Sequence, residues 1–271
     1  MNVDGIGVRY IISFSDNVDA MKKKNAVLLL HGLGGSIESW INNIDEMSSS
    51  KILRIIALDL PGFGQSDKPK ITYTVKFYQQ FIVKFLKKLR INKVSIVGSS
   101  LGGHIAAEVT INHPDIVDKL VLISPAGALP SSFKGTPALN RYVRIIDAKN
   151  VEHIKKALFA VDYKPVDDDS YARAVFQKIS VPGAKDAFLS ALRGSAHAPR
   201  LNKRLKNIRA PTLLIWGKED IMIPVRFIEP FVKMKNCRVI LLENCGHRPH
   251  AERPHLFNRI VTDFLTSERI G

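Results

Sequence analysis

The chain has 271 residues, 45% of them hydrophobic and 24% charged, with 17 glycines and 14 prolines; this ordinary globular usage excludes long disordered or low-complexity tracts. No apolar run reaches the ~20 residues of a bilayer span, and the opening MNVDGIGVRY lacks a basic region followed by an apolar one, so the expectation is a cytoplasmic protein with no membrane span. The formal charge of +15 is scattered over residues 22–24, 84–93 and 200–209 with no zinc spacing or aromatic RNA-reading strand, which points to solvated faces rather than a nucleic-acid partner.

In chain order, short β-branched and leucine-rich runs alternate with amphipathic stretches. The runs are residues 8–14, 26–32, 52–59, 94–98, 119–124, 211–217 and 238–243. Most are almost continuously apolar, as strands covered on both faces are. Helical spacing follows Ser36 (ESWINNIDEM), starts at Thr74 (TVKFYQQFIVKFLKKL), continues from Leu101 (LGGHIAAEVTINH) and returns from Pro254 (PHLFNRIVTDFLTS). This alternation predicts an α/β fold with a mostly parallel central sheet of about seven or eight strands flanked by helices. Residues 127–205 break the rhythm: helix-like patterning punctuated by Pro130, Pro137, Pro165, Pro182 and Pro199 reads as a helical cap inserted into a core of residues 1–126 and 206–271. Cys237 and Cys245 flank one strand, which at ~3.3 Å per residue holds them beyond disulfide reach.

Residues 94–108 read VSIVGSSLGGHIAAE. Here a buried strand turns into a helix through Gly98-Ser99-Ser100-Leu101-Gly102, a G-x-S-x-G pattern centred on Ser100. A serine on so tight a turn has a strained backbone, and flanking glycines let strand and helix pass close to it. A hydroxyl is a weak nucleophile and needs a base with an orienting acid. Asp220 follows strand 211–217 and His247 follows strand 238–243, so an acid and an imidazole stand in successive loops at strand ends. Strand 26–30 runs into HGLGGS at residues 31–36, whose glycines fit neither a phosphate loop nor a dinucleotide fingerprint. In this arrangement Ser100 attacks, His247 moves the proton, Asp220 orients the imidazole, and the backbone N–H groups of Leu33 and Leu101 hold the oxyanion. No metal or organic cofactor is called for.

Together these residues resemble the α/β-hydrolase superfamily over nearly the whole chain. DLPGFGQSDKP at residues 59–69 is similar to the loop after the fourth strand in many members, and CGHRPHAERPHLFNRIVTDFL to their histidine loop and last helix. Epoxide hydrolases and haloalkane dehalogenases share that loop but use an aspartate nucleophile, where this chain has Ser100. The resemblance leaves carboxylesterases with monoacylglycerol-lipase-like enzymes on one side, and hydrolases of carbon–carbon bonds in ring-fission products on the other. Trp40 and Asn42 stand nine and eleven residues after His31, as the tryptophan and substrate-contacting asparagine of the second group do. Against it, Ser99 replaces that group's asparagine before the nucleophile and Arg248 its tryptophan after the histidine. The expectation drawn is a carboxylesterase working on a small-molecule ester through an acyl-enzyme, with the carbon–carbon hydrolase as the alternative. Candidate substrate contacts are Trp40, Asn42, Arg193, His197 and Arg248.

Overall fold

The computed structural model describes residues 1–14, 25–50, 53–130, 135–159, 161–164 and 169–267; the basic run at 22–24 and Pro165 lie outside them. A two-stranded hairpin, β1 (Asn2–Val3) with β2 (Ile6–Gly7), precedes a seven-stranded sheet. Its strands are β3 (Tyr10–Ser13), β4 (Asn25–Leu30), β5 (Leu53–Leu58), β6 (Val94–Ser99), β7 (Val117–Ile123), β8 (Thr212–Gly217) and β9 (Cys237–Leu242), in the order β3-β5-β4-β6-β7-β8-β9. Only β3 runs antiparallel, pairing Tyr10 with Leu58 and Ile12 with Ile56 on β5. The other pairings are parallel, so the predicted α/β-hydrolase-type sheet is the one observed.

The period of two along each strand divides the core into two layers. Val27 and Leu29 of β4, with Ile55 and Ala57 of β5, face Trp40, Met47 and Phe257. Leu28 and Leu30, with Ile56 and Leu58, face the opposite layer of helices. That layer contains α2 (Val75–Lys88), capped by the Thr74 hydroxyl oxygen accepting from Phe77 N at 3.0 Å, and α3 (Leu101–Asn112), buried from Leu101 to Thr110. A helix buried all round needs close approach to its neighbours, which its glycines and alanines allow, and of its buried polar groups Thr110 Oγ1 donates to the Ala106 carbonyl and Glu108 accepts from Arg204.

The other layer holds α1 (Ile44–Ser48), α9 (Pro249–Glu252) and α10 (Pro254–Thr266), which pack around Trp40 and Phe257, whereas α8 (Glu229–Val232), next to β9, puts Phe231 into the layer of α2 and α3. Lys119, buried on β7, donates to the carbonyls of Phe264, Leu265 and Ser267 and so closes the end of α10. The helix expected after Ser36 is broken into a 3-10 turn, Ile37–Trp40, and the short α1. Asn43 accounts for the break: its buried amide donates to the His250 carbonyl and to Asn258 Oδ1 at 2.9 and 2.7 Å, tertiary bonds in place of a continuous helix face.

Between β7 and β8 lie α4 (Pro137–Val143), α5 (Val151–Leu158), α6 (Asp169–Ser180) and α7 (Ala184–Ala196). Pro137 occupies the first turn of α4, where no N–H is needed, and Pro182 separates α6 from α7. Their apolar faces, with Ile154, Ile179 and Phe188, belong to the same hydrophobic cluster as α2 and α3. Strand order reverses at β4: its chain continues outward to β5 on one side, while β6 and then β7 lie on the other. The carboxyl ends of β4 and β6 therefore border the crevice where such sheets hold ligands.

Candidate active site

Ser100 sits at that crevice, between β6 and α3, with φ 54° and ψ −113°. This is a left-handed conformation that costs a non-glycine residue ~1–3 kcal/mol. The turn is secured on both sides: Ser100 N donates to the Ile123 carbonyl at 2.9 Å, and the Ser100 carbonyl accepts from Ala126 N and His104 N. A Cβ on Gly98 would lie 2.4 Å from the Gly102 carbonyl oxygen, and one on Gly102 would lie 2.2 Å from that of Leu30. The glycines of G-x-S-x-G thus allow helix and strands to meet below the serine.

The glycine loop after β4 passes against the same residue, a Cβ on Gly32 reaching within 3.2 Å of Ser100 Cβ. His31, fully buried, organises this loop. Its Nδ1 donates to the Gly32 carbonyl at 2.8 Å and its Nε2 accepts from Leu60 N at 3.0 Å, an arrangement that needs the neutral imidazole. Burial depresses its pKa and maintains that state. Gly35 N also donates to the Gly32 carbonyl, so the Gly32–Leu33 peptide plane is held and the Leu33 N–H is turned the opposite way. The Leu33 carbonyl accepts from the Tyr142 hydroxyl of α4 at 2.8 Å.

Asp220 and His247 are joined. Asp220 Oδ2 accepts from His247 Nδ1 at 2.8 Å, and both side chains are buried. The other oxygen, Oδ1, accepts from the N–H groups of Met222 and Ile223, each at 2.9 Å. The carboxylate is thus aimed at one ring nitrogen and Nε2 is left for other chemistry. Their loops are fastened together through the backbone, Lys218 N to the Leu242 carbonyl at 2.9 Å and Glu219 N to that of Cys245 at 3.1 Å. Gly217 permits the crossing, since a Cβ there would lie 2.1 Å from the Gly246 carbonyl oxygen.

Ser100, Leu33, Leu101 and His247 all line one cavity of about 360 Å³, roofed by α4–α7. Arg248 lines it as well. The remaining sequence candidates lie elsewhere. Trp40 is buried in the far layer, stacked on His250 with ring centroids 4.4 Å apart, because the helical turn that carries it faces the sheet. Asn42 is exposed and offers its carbonyl to Asn258 Nδ2. Arg193 and His197 are exposed on the outward side of α7, where His197 Nδ1 bonds the Arg193 carbonyl. None of these four is a cavity residue. Sequence reasoning missed His31, Tyr142, Asp162, Tyr171 and Arg200. His31 alone carried a local signal, standing directly before the glycine loop. His104 is buried on α3 with Nδ1 at 3.2 Å from Ser195 Oγ. Among the described residues, no group of three or more His, Cys, Asp or Glu side chains converges as a metal site would, and no helix is long and apolar enough to cross a membrane.

Comparison with known proteins bears on the chemistry. The family model of the alpha/beta hydrolase fold matches residues 25–254. A 2-hydroxy-6-oxononadienedioate/2-hydroxy-6-oxononatrienedioate hydrolase of Pseudomonas putida is 29% identical over 263 residues, covering 92% of this chain and 90% of its own. A hydrolase of the same name from Klebsiella pneumoniae is 28% identical over 277 residues, covering 98% and 94%. Among solved structures, a 2-hydroxy-6-oxo-6-phenylhexa-2,4-dienoate hydrolase of a Rhodococcus species superposes with a TM-score of 0.83 at 19% identity, over 97% of this chain and 95% of that one. The substrates named for these two curated hydrolases contain no ester bond. That corrects the carboxylesterase expectation, which rested on Ser99 and Arg248 replacing two markers: the overall likeness runs to the carbon–carbon hydrolases despite both replacements. The chain is a hydrolase and belongs to the α/β-hydrolase fold family.

Proposed function

We propose that this protein hydrolyses a carbon–carbon bond in a 2-hydroxy-6-oxodienoate of the ring-fission type, using Ser100, His247 and Asp220. The observation that carries the reading is the pairing of a buried, doubly amide-anchored Asp220 with His247 on a cavity that also exposes Ser100 on a strained turn. The likeness to the dienedioate hydrolases supports the choice of bond.

The chemistry follows from the positions. His247 Nε2 takes the Ser100 proton as the hydroxyl oxygen adds to the C6 ketone, and the oxyanion sits on the N–H groups of Leu33 and Leu101 at the positive end of α3. The bound dienol has first ketonised, its C2 hydroxyl proton moving to C5, so that C2 is a ketone and the remaining double bond of the chain is C3–C4; when the C5–C6 bond then breaks, its electron pair is delocalised through that double bond onto the C2 oxygen, and the imidazolium returns the proton to the dienolate. Water, deprotonated by the same imidazole, then frees the carboxylic acid from Ser100. Asp220 holds the tautomer throughout. Helices α4–α7 act as the cap that closes this reaction from bulk water.

The test follows the absorbance of the dienol on mixing with enzyme. Loss of the chromophore with release of one carboxylic acid, abolished in Ser100→Ala, is the expected result. Turnover of aryl esters with an unchanged dienol would overturn the proposal.

A further inference from the structure

Among the described residues, the cationic side chains that line the cavity are Arg200 and Arg248. They are in opposite electrostatic states. Arg248 Nε donates to Asp162 Oδ1 at 2.7 Å, its second terminal N–H group donates to Asp162 Oδ2, and the first donates to the Tyr171 hydroxyl. The guanidinium also lies over the Tyr171 ring, 5.0 Å from its centre. Both partners of the ion pair are largely covered, with 18% of the Arg248 side chain and 13% of that of Asp162 exposed. Burial works against the arginine's charge, and Tyr171 with Asp162 outweighs it, raising the guanidinium's pKa above its ordinary value. The result is a forked pair with no net charge, each carboxylate oxygen occupied. A second carboxylate brought to this wall would meet Asp162 as a like charge in a poorly solvated place.

The walls beside that pair are apolar. Leu139 and Val143 of α4, Leu158 of α5, Val175 of α6, and Val161 in the segment after α5 line the cavity. Arg200 differs from Arg248: it is exposed, and NH1 donates to a neutral acceptor, the Leu129 carbonyl, at 2.7 Å. One cation is therefore available to an anionic ligand and the other is already neutralised.

We infer that the cavity selects a dienoate bearing a single carboxylate, held toward Arg200, with an apolar alkyl or aryl group on the ketone, and that it discriminates against the dioates for which the curated relatives are named. The inference rests on the carbon–carbon hydrolase reading and specifies its substrate class. An aliphatic wall accepts a phenyl ring without loss, whereas a carboxylate placed there must shed water with no free cation in exchange.

Turnover decides it. The expected kcat/KM for 2-hydroxy-6-oxo-6-phenylhexa-2,4-dienoate exceeds that for 2-hydroxy-6-oxononadienedioate by about 30-fold or more. Equal values, or a preference for the dioate, would overturn the assignment. Asp162→Asn leaves Arg248 uncompensated and moves the ratio toward the dioate by about tenfold; any damage to the neighbouring His247 loop affects both substrates and cancels in the ratio. A ratio that stays at its original value contradicts the role given to Asp162. A binding measurement separates this inference from the reaction assigned above: protection of Ser100 against a fluorophosphonate by 6-phenylhexanoate should exceed protection by nonanedioate. Stronger protection by nonanedioate refutes the selectivity even if neither dienoate is cleaved, and cleavage of neither dienoate with the expected order of protection refutes the reaction alone.

Discussion

The floor and the roof of the cavity are built by different means. On the floor, Ser100, Leu33, Asp220 and His247 leave the ends of parallel strands, and backbone hydrogen bonds hold their loops: Ser100 to Ile123, Gly35 to Gly32, Lys218 to Leu242. The roof is fastened mainly by side chains. Lys178 of α6 donates to Ser36 and Glu38 at 2.7 Å each, Arg248 grips Asp162, and Glu252 accepts from Tyr163 N at 2.8 Å. Among the described residues, a direct backbone bond from His247 N to the Val161 carbonyl at 3.1 Å joins the two regions at the histidine itself. Backbone-held geometry tolerates little sequence change, and side-chain fastenings can be replaced one at a time. On the proposed function, chemistry is thereby attached to the part that resists change and selectivity to the part that permits it.

The comparison can be broken most sharply at the floor. Ser100→Ala or His247→Ala should lower kcat by about 10⁴-fold or more with little change in melting temperature, and fluorophosphonate labelling should vanish in the first. Asp220→Asn keeps the shape but loses the acceptor that fixes the tautomer, and a fall approaching ~10⁴-fold in kcat is expected from stopped-flow single turnovers. Gly102→Ala would test the steric side, because its Cβ would enter the Leu30 carbonyl; a loss of about 3 kcal/mol in urea unfolding is expected.

Acid should act on buried imidazoles under both regions. His104 is held down to about 4, chiefly by burial and then by Arg204 and Arg200, and His250 to about 3, chiefly by burial and then by Arg248 and His247. Between those values and the ordinary 6.5, the unfolded chain binds more protons than the folded one, so stability rises with pH there and falls on acidification. The slope is about 1.4 kcal/mol per pH unit for each histidine. Urea midpoints from pH 6.5 to 4 measure it, and His104→Gln should remove that residue's contribution.

The smallest effect is expected at the roof. Lys178→Ala removes an anchor that is partly exposed, costing about 1 kcal/mol or less of stability, while KM rises more than kcat falls. Glu38, whose bonds to Lys178, Ser36 and Arg9 hold its carboxyl below the ordinary value in spite of burial, contributes its anchoring above the usual glutamate range and loses it as pH drops below that range.

What could be read from the chain alone follows the same division. Ser100 announced itself through glycines on either side of a strand-to-helix turn, and Asp220 and His247 through their places just past two apolar runs. Each is a short-range signal, because strand ends and tight turns are dictated by neighbours in sequence. Trp40 and Asn42 misled, since spacing from His31 says nothing about which side of a broken helix faces the cavity. Arg193 and His197 sit on an amphipathic helix whose outward face became clear only when α7 packed. Arg248 was noticed for adjoining the base, but its partner Asp162 lies 86 residues away. The correction of the ester expectation likewise depended on whole-chain likeness to relatives, which a few local markers do not represent.

The strand-and-helix alternation, the helices between β7 and β8, and the placing of Ser100, Asp220 and His247 just past strand ends follow from apolar period and local backbone sterics. Packing between distant segments settled that His31 pins the glycine loop, that Trp40 is core and that Arg248 is neutralised. Those outcomes depend on pairings between distant segments, where burial makes an unmatched charge or polar atom costly and so selects the partner.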